Sequence, residues 1–246
     1  MDLGLRNKRC LVTGALGGFG RALVNRFHAE GAEVIATGTR PEAEVRSKLE
    51  AFAPVPAYRR LDYTDAEAIE RAVAETEPAI VLANAGLTHP APLHATRLED
   101  WRKLLEVNLT GNFLLGKAAA NRMAERGGGS ILFIGSWAHT VPQKNIGGYG
   151  PSKAGMKMMA LCLAKELAHR RVRINVISPG IIDTGMAARQ MAGQEERRER
   201  AERVTLCGRL GTAEEVADAC AFLVSPRADF IYGADLLIDG GASLGV

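Results

Sequence analysis

The chain has 246 residues, of which 47% are hydrophobic, so it is long enough to bury a large core. Its formal net charge is +3 and its lysines and arginines are scattered, which excludes the concentrated basic face of a nucleic-acid-binding protein. Its four cysteines and five histidines lack metal-ligand spacing, no apolar stretch approaches the ~20 residues that span a bilayer, and no signal peptide is visible. These features predict a reduced, cytoplasmic protein with no membrane segment and no metal site.

Short apolar runs alternate with helical patterns along most of the chain. Strands are predicted at 10–12, 33–37, 57–61, 79–83, 130–134, 173–177 and 235–238. Helices are predicted at 21–30, 41–52, 65–75, 98–126, 149–169 and 213–223, and the alternating charges of 195–203 indicate a solvated helix face. This alternation predicts an α/β fold in which helices cover both faces of a mostly parallel sheet.

A glycine-rich turn follows the first predicted strand. Its residues are Thr13-Gly14-Ala15-Leu16-Gly17-Gly18-Phe19-Gly20, and an amphipathic helix comes after them. A helix N-terminus offers unsatisfied N–H groups and a positive dipole end, and glycines let the backbone approach a pyrophosphate closely. The spacing differs from Gly-x-Gly-x-x-Gly, so a phosphate site is predicted and a tight turn without a ligand is the alternative.

Small and polar residues follow the other strands as well. Ligands of parallel sheets bind beyond the carboxyl ends of the strands. The residues at these ends are Gly38-Thr39-Arg40, Asp62-Tyr63, Asn84-Ala85-Gly86, Gly135-Ser136 and Ser178-Pro179-Gly180. Each of these is a turn signal when taken alone, but their recurrence at every strand end predicts the floor of a ligand crevice.

Tyr149 and Lys153 lie four residues apart at the start of a predicted long helix, so they share a face. A free tyrosine has a pKa near ~10 and is a poor acid or base at neutral pH. A nearby ammonium group favours the phenolate and lowers that pKa. Beside a dinucleotide, such a pair predicts general acid/base catalysis of carbonyl–alcohol chemistry. The structural alternative is an amphipathic tyrosine next to a solvated lysine.

Taken together, these motifs resemble the short-chain dehydrogenase/reductase family, in particular its compact members similar to 3-oxoacyl-(acyl-carrier-protein) reductases. The matching positions are 13–20, 83–86, Asn108, Ser136, Tyr149, Lys153, 175–180, Thr184 and 239–241. The resemblance implies a Rossmann-type, doubly wound, single domain over residues 1–246 with a seven-stranded, mostly parallel sheet. It also implies an NAD(P)-dependent oxidoreductase that interconverts a ketone, or a 3-oxoacyl group, and a secondary alcohol. A catalytically silent dinucleotide-binding regulator or scaffold of the same fold is the alternative.

The resemblance assigns roles to individual residues. Tyr149 would exchange a proton with the substrate oxygen, and Ser136 would hydrogen-bond that oxygen. Lys153 would bind the ribose hydroxyls and lower the tyrosine pKa, while Asn108 would hold a proton-relay water. The implied cofactor-binding residues are Gly14, Leu16, Gly18, Phe19, Gly20, Thr39, Arg40, Asp62, Tyr63, Asn84, Ala85, Gly86, Tyr149, Lys153, Pro179, Gly180, Ile182 and Thr184. One departure is Ala83, which replaces the first asparagine of the family's Asn-Asn-Ala-Gly element.

The choice of cofactor depends on the end of the second strand. Gly38 stands where family members that use NAD usually carry an acidic residue, which would repel a 2′-phosphate. Thr39 and Arg40 follow, and a hydroxyl and a guanidinium suit a phosphate. Against this, Gly17 stands where many NADP users carry a basic residue. The prediction is NADP(H), and NAD(H) stays open.

The substrate is the least determined part of the prediction. The candidate substrate residues are Trp137, His139, Gln143 and Met186, and Trp137 either shapes the pocket or packs beneath it. In the family the segment at about 185–207 acts as a lid. Arg122, Arg126, Arg170 and Arg171 are candidate contacts for an acyl-carrier protein. The stretch 127–130 lacks the basic residues that acyl-carrier reductases often show, so a small alcohol or ketone is equally open. The family's pairing of two long helices implies a homotetramer, a dimer of dimers.

Overall fold

A computed structural model describes residues 2–185, 188 and 191–245. Its strands are β1 (Arg9–Val12), β2 (Glu33–Gly38), β3 (Ala57–Arg60), β4 (Ile80–Ala83), β5 (Gly129–Ile134), β6 (Val172–Pro179) and β7 (Asp235–Ile238). Within the described residues they form one parallel sheet of seven strands in the order β3-β2-β1-β4-β5-β6-β7. The strand order reverses between β1 and β4, which makes the fold doubly wound and opens a crevice at the carboxyl ends of these strands. The predicted fold class is confirmed.

The helices connect the strands on both faces of the sheet. They are α1 (Gly18–Ala29), α2 (Glu42–Leu49), α3 (Ala66–Thr76), α4 (Leu98–Leu105), α5 (Gly111–Glu125), α6 (Tyr149–Leu167), α7 (Glu195–Val204) and α8 (Ala213–Val224). A π-helical turn, Glu106–Thr110, joins α4 to α5, so the predicted helix 98–126 contains a local change of hydrogen-bond register. Helix α1 begins three residues earlier than predicted, because two glycines of the turn form its first turn.

Two apolar layers hold the helices on the sheet. On one face, Val12 and Leu82 pack with Phe27 of α1 and Cys220 of α8. On the other face, Leu11 and its neighbours pack with residues of α3, α5 and α6, including Ile69, Leu115 and Met156. Adjacent strand residues therefore enter opposite layers, as the alternation of side chains along a strand requires. Each fully buried leucine or phenylalanine contributes about 1.5–3 kcal/mol relative to an exposed one.

The topology places the predicted acyl-carrier arginines away from the crevice. Arg126 and Arg171 come just before β5 and β6, at the amino ends of these strands, and Arg122 and Arg170 lie beside them in the chain. Ser136 lies beyond the carboxyl end of β5, whose six residues span about 20 Å. These four arginines are therefore at the opposite edge of the sheet, and their predicted place at the crevice entrance is wrong.

Within the part of the chain that the structure describes, no helix is long and apolar enough to cross a membrane.

Candidate active site

A cleft of about 1700 Å³ opens beyond the carboxyl ends of the strands. The glycine turn after β1, the ends of β2 to β6 and one side of α7 line it. The predicted cofactor residues that line it are Gly14, Leu16, Gly18, Phe19, Thr39, Arg40, Asp62, Tyr63, Asn84, Ala85, Gly86, Tyr149, Pro179, Gly180, Ile182 and Thr184. Gly20 and Lys153 do not line the cleft, because both are buried beneath it.

The glycine turn is shaped for close backbone approach. Gly14 has a φ of +62°, a left-handed conformation that favours glycine. A Cβ on Gly20 would overlap the carbonyl oxygen of Gly14, so a glycine at this position is required for the packing of the turn, and the contact between Gly20 and a cofactor stays a prediction. A Cβ on Gly18 would overlap the hydroxyl of Thr184, which brings the start of α1 against the segment after β6. The first turn of α1 contains no acidic residue, so its N-terminus fits a pyrophosphate.

Thr13 ties this turn to β4 through one buried hydroxyl. Its Oγ1 donates to the Leu82 carbonyl at 3.2 Å and accepts from the Tyr63 hydroxyl at 2.7 Å. It also accepts from the backbone N–H groups of Asn84 at 2.9 Å and Ala85 at 3.0 Å. The ends of β1 and β4 are thus held in one hydrogen-bond network.

The Asn84 side chain joins the same two strands. Its amide donates to the carbonyl oxygens of Thr13 at 2.8 Å and Gly14 at 3.2 Å. Ala83, which replaces the first asparagine of the family's Asn-Asn-Ala-Gly element, is 1% exposed and lies in the apolar core. The retained asparagine therefore holds the glycine turn without the help of a second amide.

The end of β2 leaves little room for a side chain at residue 38. A Cβ on Gly38 would lie 3.0 Å from the hydroxyl oxygen of Tyr58, tighter than most real contacts. That hydroxyl donates to the Arg40 carbonyl at 2.7 Å, and the cation of Lys48 on α2 lines the same part of the cleft. Within the described residues neither Arg40 nor Lys48 is in an ion pair with a carboxylate. This corner therefore presents two cations to the cleft, and the carboxylates of Glu42 and Glu44, which act on Tyr58, are not among the residues that line it.

Asp62 and Tyr63 form the next part of the lining. Asp62 Oδ1 accepts from the backbone N–H of Thr64 at 2.9 Å and from its hydroxyl at 2.8 Å. These hydrogen bonds hold the pKa of the Asp62 carboxyl below its ordinary value. The Tyr63 side chain is buried against Thr13, so only its backbone can face a ligand.

Ser136, Tyr149 and Lys153 come together where β5 ends and α6 begins. Ser136 lies close enough to the Tyr149 hydroxyl to influence its pKa, and Ser136 Oγ accepts from the Ala138 N–H at 3.2 Å. Lys153 Nζ donates to the Ile134 carbonyl at 2.7 Å and lies 5.8 Å from the centre of the Tyr149 ring.

The pKa values in this group differ from the sequence prediction. Burial raises the pKa of the Tyr149 hydroxyl above its ordinary value, and the interaction with Ser136 offsets this only in part. Burial also lowers the pKa of the Lys153 ammonium to about 8. The predicted lowering of the Tyr149 pKa is therefore wrong for the protein alone, because desolvation of the phenolate dominates.

Asn108 occupies the π-helical turn and is fully buried. Its side chain accepts from the Leu87 N–H at 2.8 Å, donates to the Leu87 carbonyl at 2.8 Å and donates to Ser152 Oγ at 3.1 Å. A Cβ on Gly86 would lie 3.2 Å from Asn108 Oδ1 and 3.7 Å from Lys153 Nζ. Gly86 thus leaves open the space between the asparagine and the lysine.

The residues that follow β6 pack against the segment 239–241 near the C-terminus, which is one of the motifs shared with the family. A Cβ on Gly180 would lie 2.6 Å from Cβ of Asp239, so the two segments touch. Asp239 accepts from the N–H groups of Gly241 at 2.9 Å and Ser243 at 2.8 Å. Burial raises the Asp239 pKa, but these hydrogen bonds outweigh burial and leave it below its ordinary value. The signature at 239–241 is a support for the cleft wall.

The predicted substrate residues divide into three groups. Trp137 and Gln143 line the cleft, and Trp137 is also 7% exposed and packs against Ala242, so it both shapes the pocket and fills the core. His139 points away from the cleft toward Asp235, and its predicted contact with substrate is wrong. Met186 lies outside the described residues.

Sequence reasoning missed two residues near Arg40. Tyr58 lies in β3 and Lys48 in α2, and the sequence analysis assigns both to these elements but not to a site. A register that pairs Ala36 with Tyr58 puts that ring next to the end of β2. Aligning the predicted strands 33–37 and 57–61 as neighbours would have shown that Tyr58 lies close to this part of the cleft.

Comparisons with known proteins agree with this geometry. A family model described as enoyl-(acyl-carrier-protein) reductase matches residues 14–243. The cis-4-hydroxycyclohexanecarboxylate dehydrogenase of Sinomonas cyclohexanicum is 37% identical over 238 residues, which cover 94% of this chain and 94% of that protein. The 3-oxoacyl-(acyl-carrier-protein) reductase of Escherichia coli is 34% identical over 97% of this chain and 98% of its own length. A gluconate 5-dehydrogenase from Burkholderia cenocepacia, solved with NADP and tartrate, superposes with a TM-score of 0.92 at 27% identity, over 100% of this chain and 98% of that one.

The chain belongs to the short-chain dehydrogenase/reductase family. Its relatives are named dehydrogenases and reductases, and the protein is an oxidoreductase of the short-chain alcohol dehydrogenase and ketoreductase class. The predicted family and enzyme class are confirmed. None of the comparisons supports the catalytically silent alternative.

Proposed function

We propose that the protein is an NADP(H)-dependent oxidoreductase that interconverts a small ketone and a secondary alcohol. The single observation that carries this proposal is that Ser136 and Tyr149 line one cleft of about 1700 Å³, with the buried Lys153 5.8 Å from the centre of the Tyr149 ring. The turn after β1 fits the pyrophosphate of such a cofactor because its backbone is open and its helix N-terminus carries no acid. When bound, the nicotinamide supplies or accepts the hydride.

The chain's own residues then handle the proton. In reduction, the Tyr149 hydroxyl donates its proton to the carbonyl oxygen, and the Ser136 hydroxyl donates a hydrogen bond to the same oxygen. Lys153 is mostly protonated at neutral pH, since its pKa is about 8, and its charge stabilises the phenolate that forms. We place a relay water in the space that Gly86 leaves between Asn108 and Lys153. In oxidation, Tyr149 takes the proton of the alcohol instead.

The preference for NADP(H) is argued from the cations at the end of β2. Arg40 and Lys48 line the cleft beside Thr39, and Tyr58 fills the place where an acidic side chain at residue 38 would stand. A charge-assisted bond to a 2′-phosphate contributes about 1.5–3 kcal/mol, which corresponds to a factor of about 10–100. Three of the solved structures that resemble this chain hold NADP.

The cofactor proposal is tested by substitution at this corner. Arg40→Ala and Lys48→Ala should each lower kcat/KM with NADPH by about 10-fold or more and leave kcat/KM with NADH unchanged. Arg46→Ala is the matched control, because Arg46 is an exposed cation of α2 that does not line the cleft. An equal loss with both cofactors would contradict the assignment.

We infer that the substrate carries a carboxylate. In the substrate half of the cleft, the described lining includes the cations of Lys103, Lys144 and Arg200, and Asp62 near the adenosine end is the one acidic residue of the described lining. A cleft that is lined by cations attracts anions and raises their local concentration. Two relatives are named for substrates that carry a carboxylate, a hydroxycyclohexanecarboxylate and gluconate.

The substrate class is tested with a charged and a neutral member of each candidate pair, such as a hydroxycycloalkane carboxylate and its primary amide. The carboxylate should have the higher kcat/KM, and added salt should reduce this advantage. Replacing Lys103, Lys144 and Arg200 together by methionine should reduce it too, whereas Lys8→Met, at the amino edge of the sheet, should not. Equal rates for acid and amide would overturn the carboxylate class and leave the carbonyl–alcohol chemistry standing.

We further propose that residues 1–246 act as one catalytic domain in which α7 is part of a lid over the substrate. Arg200, Ala201 and Val204 of α7 line the cleft, and Gly185 and Gly193 have φ values of +54° and +69° that suit hinges. We also propose that the protein is a homotetramer located in the cytoplasm. Light scattering that gives the mass of one chain, 26.3 kDa, would overturn the tetramer.

A further inference from the structure

Behind Ser136, on the side away from the cleft, lies a group of polar side chains that the mechanism does not use. We call it the His139 cluster, and its members are His139, Lys157, Ser178 and Asp235. Asp235 Oδ2 lies 3.0 Å from His139 Nε2 and 2.8 Å from Lys157 Nζ, and Asp235 Oδ1 accepts from Ser178 Oγ at 2.6 Å. The side chains of His139 and Asp235 are 6% and 14% exposed. The Lys157 side chain is 30% exposed, but burying the Asp235 carboxylate carries a desolvation cost that apolar residues at this place would not have.

The partners of His139 fix how its ring is oriented. Nδ1 contacts the carbonyl oxygen of Ser136, which can only accept a hydrogen bond, so Nδ1 must carry a proton. In the neutral ring, Nε2 accepts from Lys157 Nζ at 2.9 Å, and in the charged ring it donates to Asp235. These residues, with Ser178 at 3.5 Å from Nδ1, face the ring from α6, β6 and β7. In either protonation state the Nδ1–H group stays on Ser136.

The same helix carries both the cluster and the catalytic pair. Tyr149, Lys153 and Lys157 follow each other at intervals of four residues on one face of α6. The carbonyl of Ser136 accepts from His139 twice, from the ring and from the backbone N–H at 3.1 Å. The serine is therefore tied through the His139 ring to β6, β7 and the helix that holds Tyr149.

We infer that His139 is a positioning residue for the catalytic serine: its Nδ1–H group holds the Ser136 carbonyl, and Asp235 and Lys157 hold the ring. This inference rests on the proposed role of Ser136. A displacement of about 1 Å in a catalytic group can cost about 100-fold in rate. The cluster thus acts on turnover and leaves cofactor affinity unchanged, because none of its members lines the cleft.

Two amide substitutions separate the two ring nitrogens. His139→Asn places an amide N–H where Nδ1 stands, and His139→Gln places one where Nε2 stands. We expect His139→Asn to keep kcat within about 3-fold of wild type, and His139→Gln and His139→Leu to lower it by about 10–100-fold. KM for substrate and Kd for NADPH, measured by nucleotide fluorescence, should stay within about 2-fold in all three.

The controls distinguish this inference from the proposed function. Ser136→Ala is measured in parallel, and an unchanged kcat there would overturn both the role of the serine and the inference that depends on it. If Ser136→Ala is slow but His139→Gln turns over at the wild-type rate, the positioning role alone is wrong. A kcat for His139→Asn as low as that of His139→Leu would overturn it too. Should the histidine variants fail to fold, Asp235→Ala decides: it removes the carboxylate that contacts the ring and Lys157, so a kcat equal to wild type would overturn the inference.

Discussion

Replacing Thr13 with valine removes one buried hydroxyl and preserves the shape of the side chain. That hydroxyl is the acceptor for Tyr63 and for the backbone N–H groups of Asn84 and Ala85. The Asn84 N–H has a second acceptor, the Leu82 carbonyl at 3.0 Å, so the substitution leaves two donors without a partner. An unsatisfied buried donor costs about 1–3 kcal/mol. Thr13→Val should therefore lower the free energy of unfolding by about 2–6 kcal/mol.

The assay is urea unfolding followed by circular dichroism, with two companion variants. Thr13→Ser keeps the hydroxyl and loses one methyl group, so it should cost about 1 kcal/mol. Thr13→Val combined with Tyr63→Phe removes one of the two orphaned donors and should recover about 1–2 kcal/mol of the loss. Kd for NADPH should rise in Thr13→Val, because Asn84 and Ala85 form the cleft floor.

The reasoning fails if Thr13→Val is as stable as Thr13→Ser. It also fails if the added Tyr63→Phe substitution lowers stability further, because the phenol would then have found another partner.

Two further predictions concern the buried lysine and the glycine turn. Lys153→Met should be more stable than wild type at pH 7, because burial lowers the Lys153 pKa from 10.5 to about 8 and charging it in the fold is unfavourable. Between about pH 8 and pH 10.5 the unfolded chain holds more protons, so wild-type stability rises there and the gap in thermal melting should narrow; a gap that widens would contradict this. Gly20→Ala should abolish tight NADPH binding since its Cβ would overlap the Gly14 carbonyl, whereas Gly17→Ala, with φ of −79° and its nearest neighbour at 3.3 Å, should bind within about 3-fold of wild type in a fluorescence titration.

The features that could be predicted from sequence are those set by periodicity and chain order. The strands, the glycine turn and the pairing of Tyr149 with Lys153 follow from spacing alone, because alternation fixes which face a residue takes. Spacing also fixes the edge of the sheet on which a residue lies. By the same rule Arg126 and Arg171, which precede their strands, lie opposite the cleft, so the prediction that put them at its entrance is wrong.

Other features depend on contacts between distant parts of the chain. Trp137, Ala138 and His139 form one short 3₁₀ turn, in which successive side chains point in different directions, so Trp137 faces the cleft and His139 faces Asp235. Asp235 lies nearly a hundred positions from His139, so no local sequence pattern predicts the contact between them. The direction of the Tyr149 pKa shift was predicted wrongly for a similar reason, because desolvation of the hydroxyl depends on the whole fold.

The account depends most directly on the Tyr149 hydroxyl. In Tyr149→Phe, the transfer of hydride from bound NADPH to a ketone should slow by about 100–10,000-fold in a single turnover, because the general acid is lost. Kd for NADPH should stay within about 2-fold, because the ring is retained. A single-turnover rate equal to that of wild type would contradict the account.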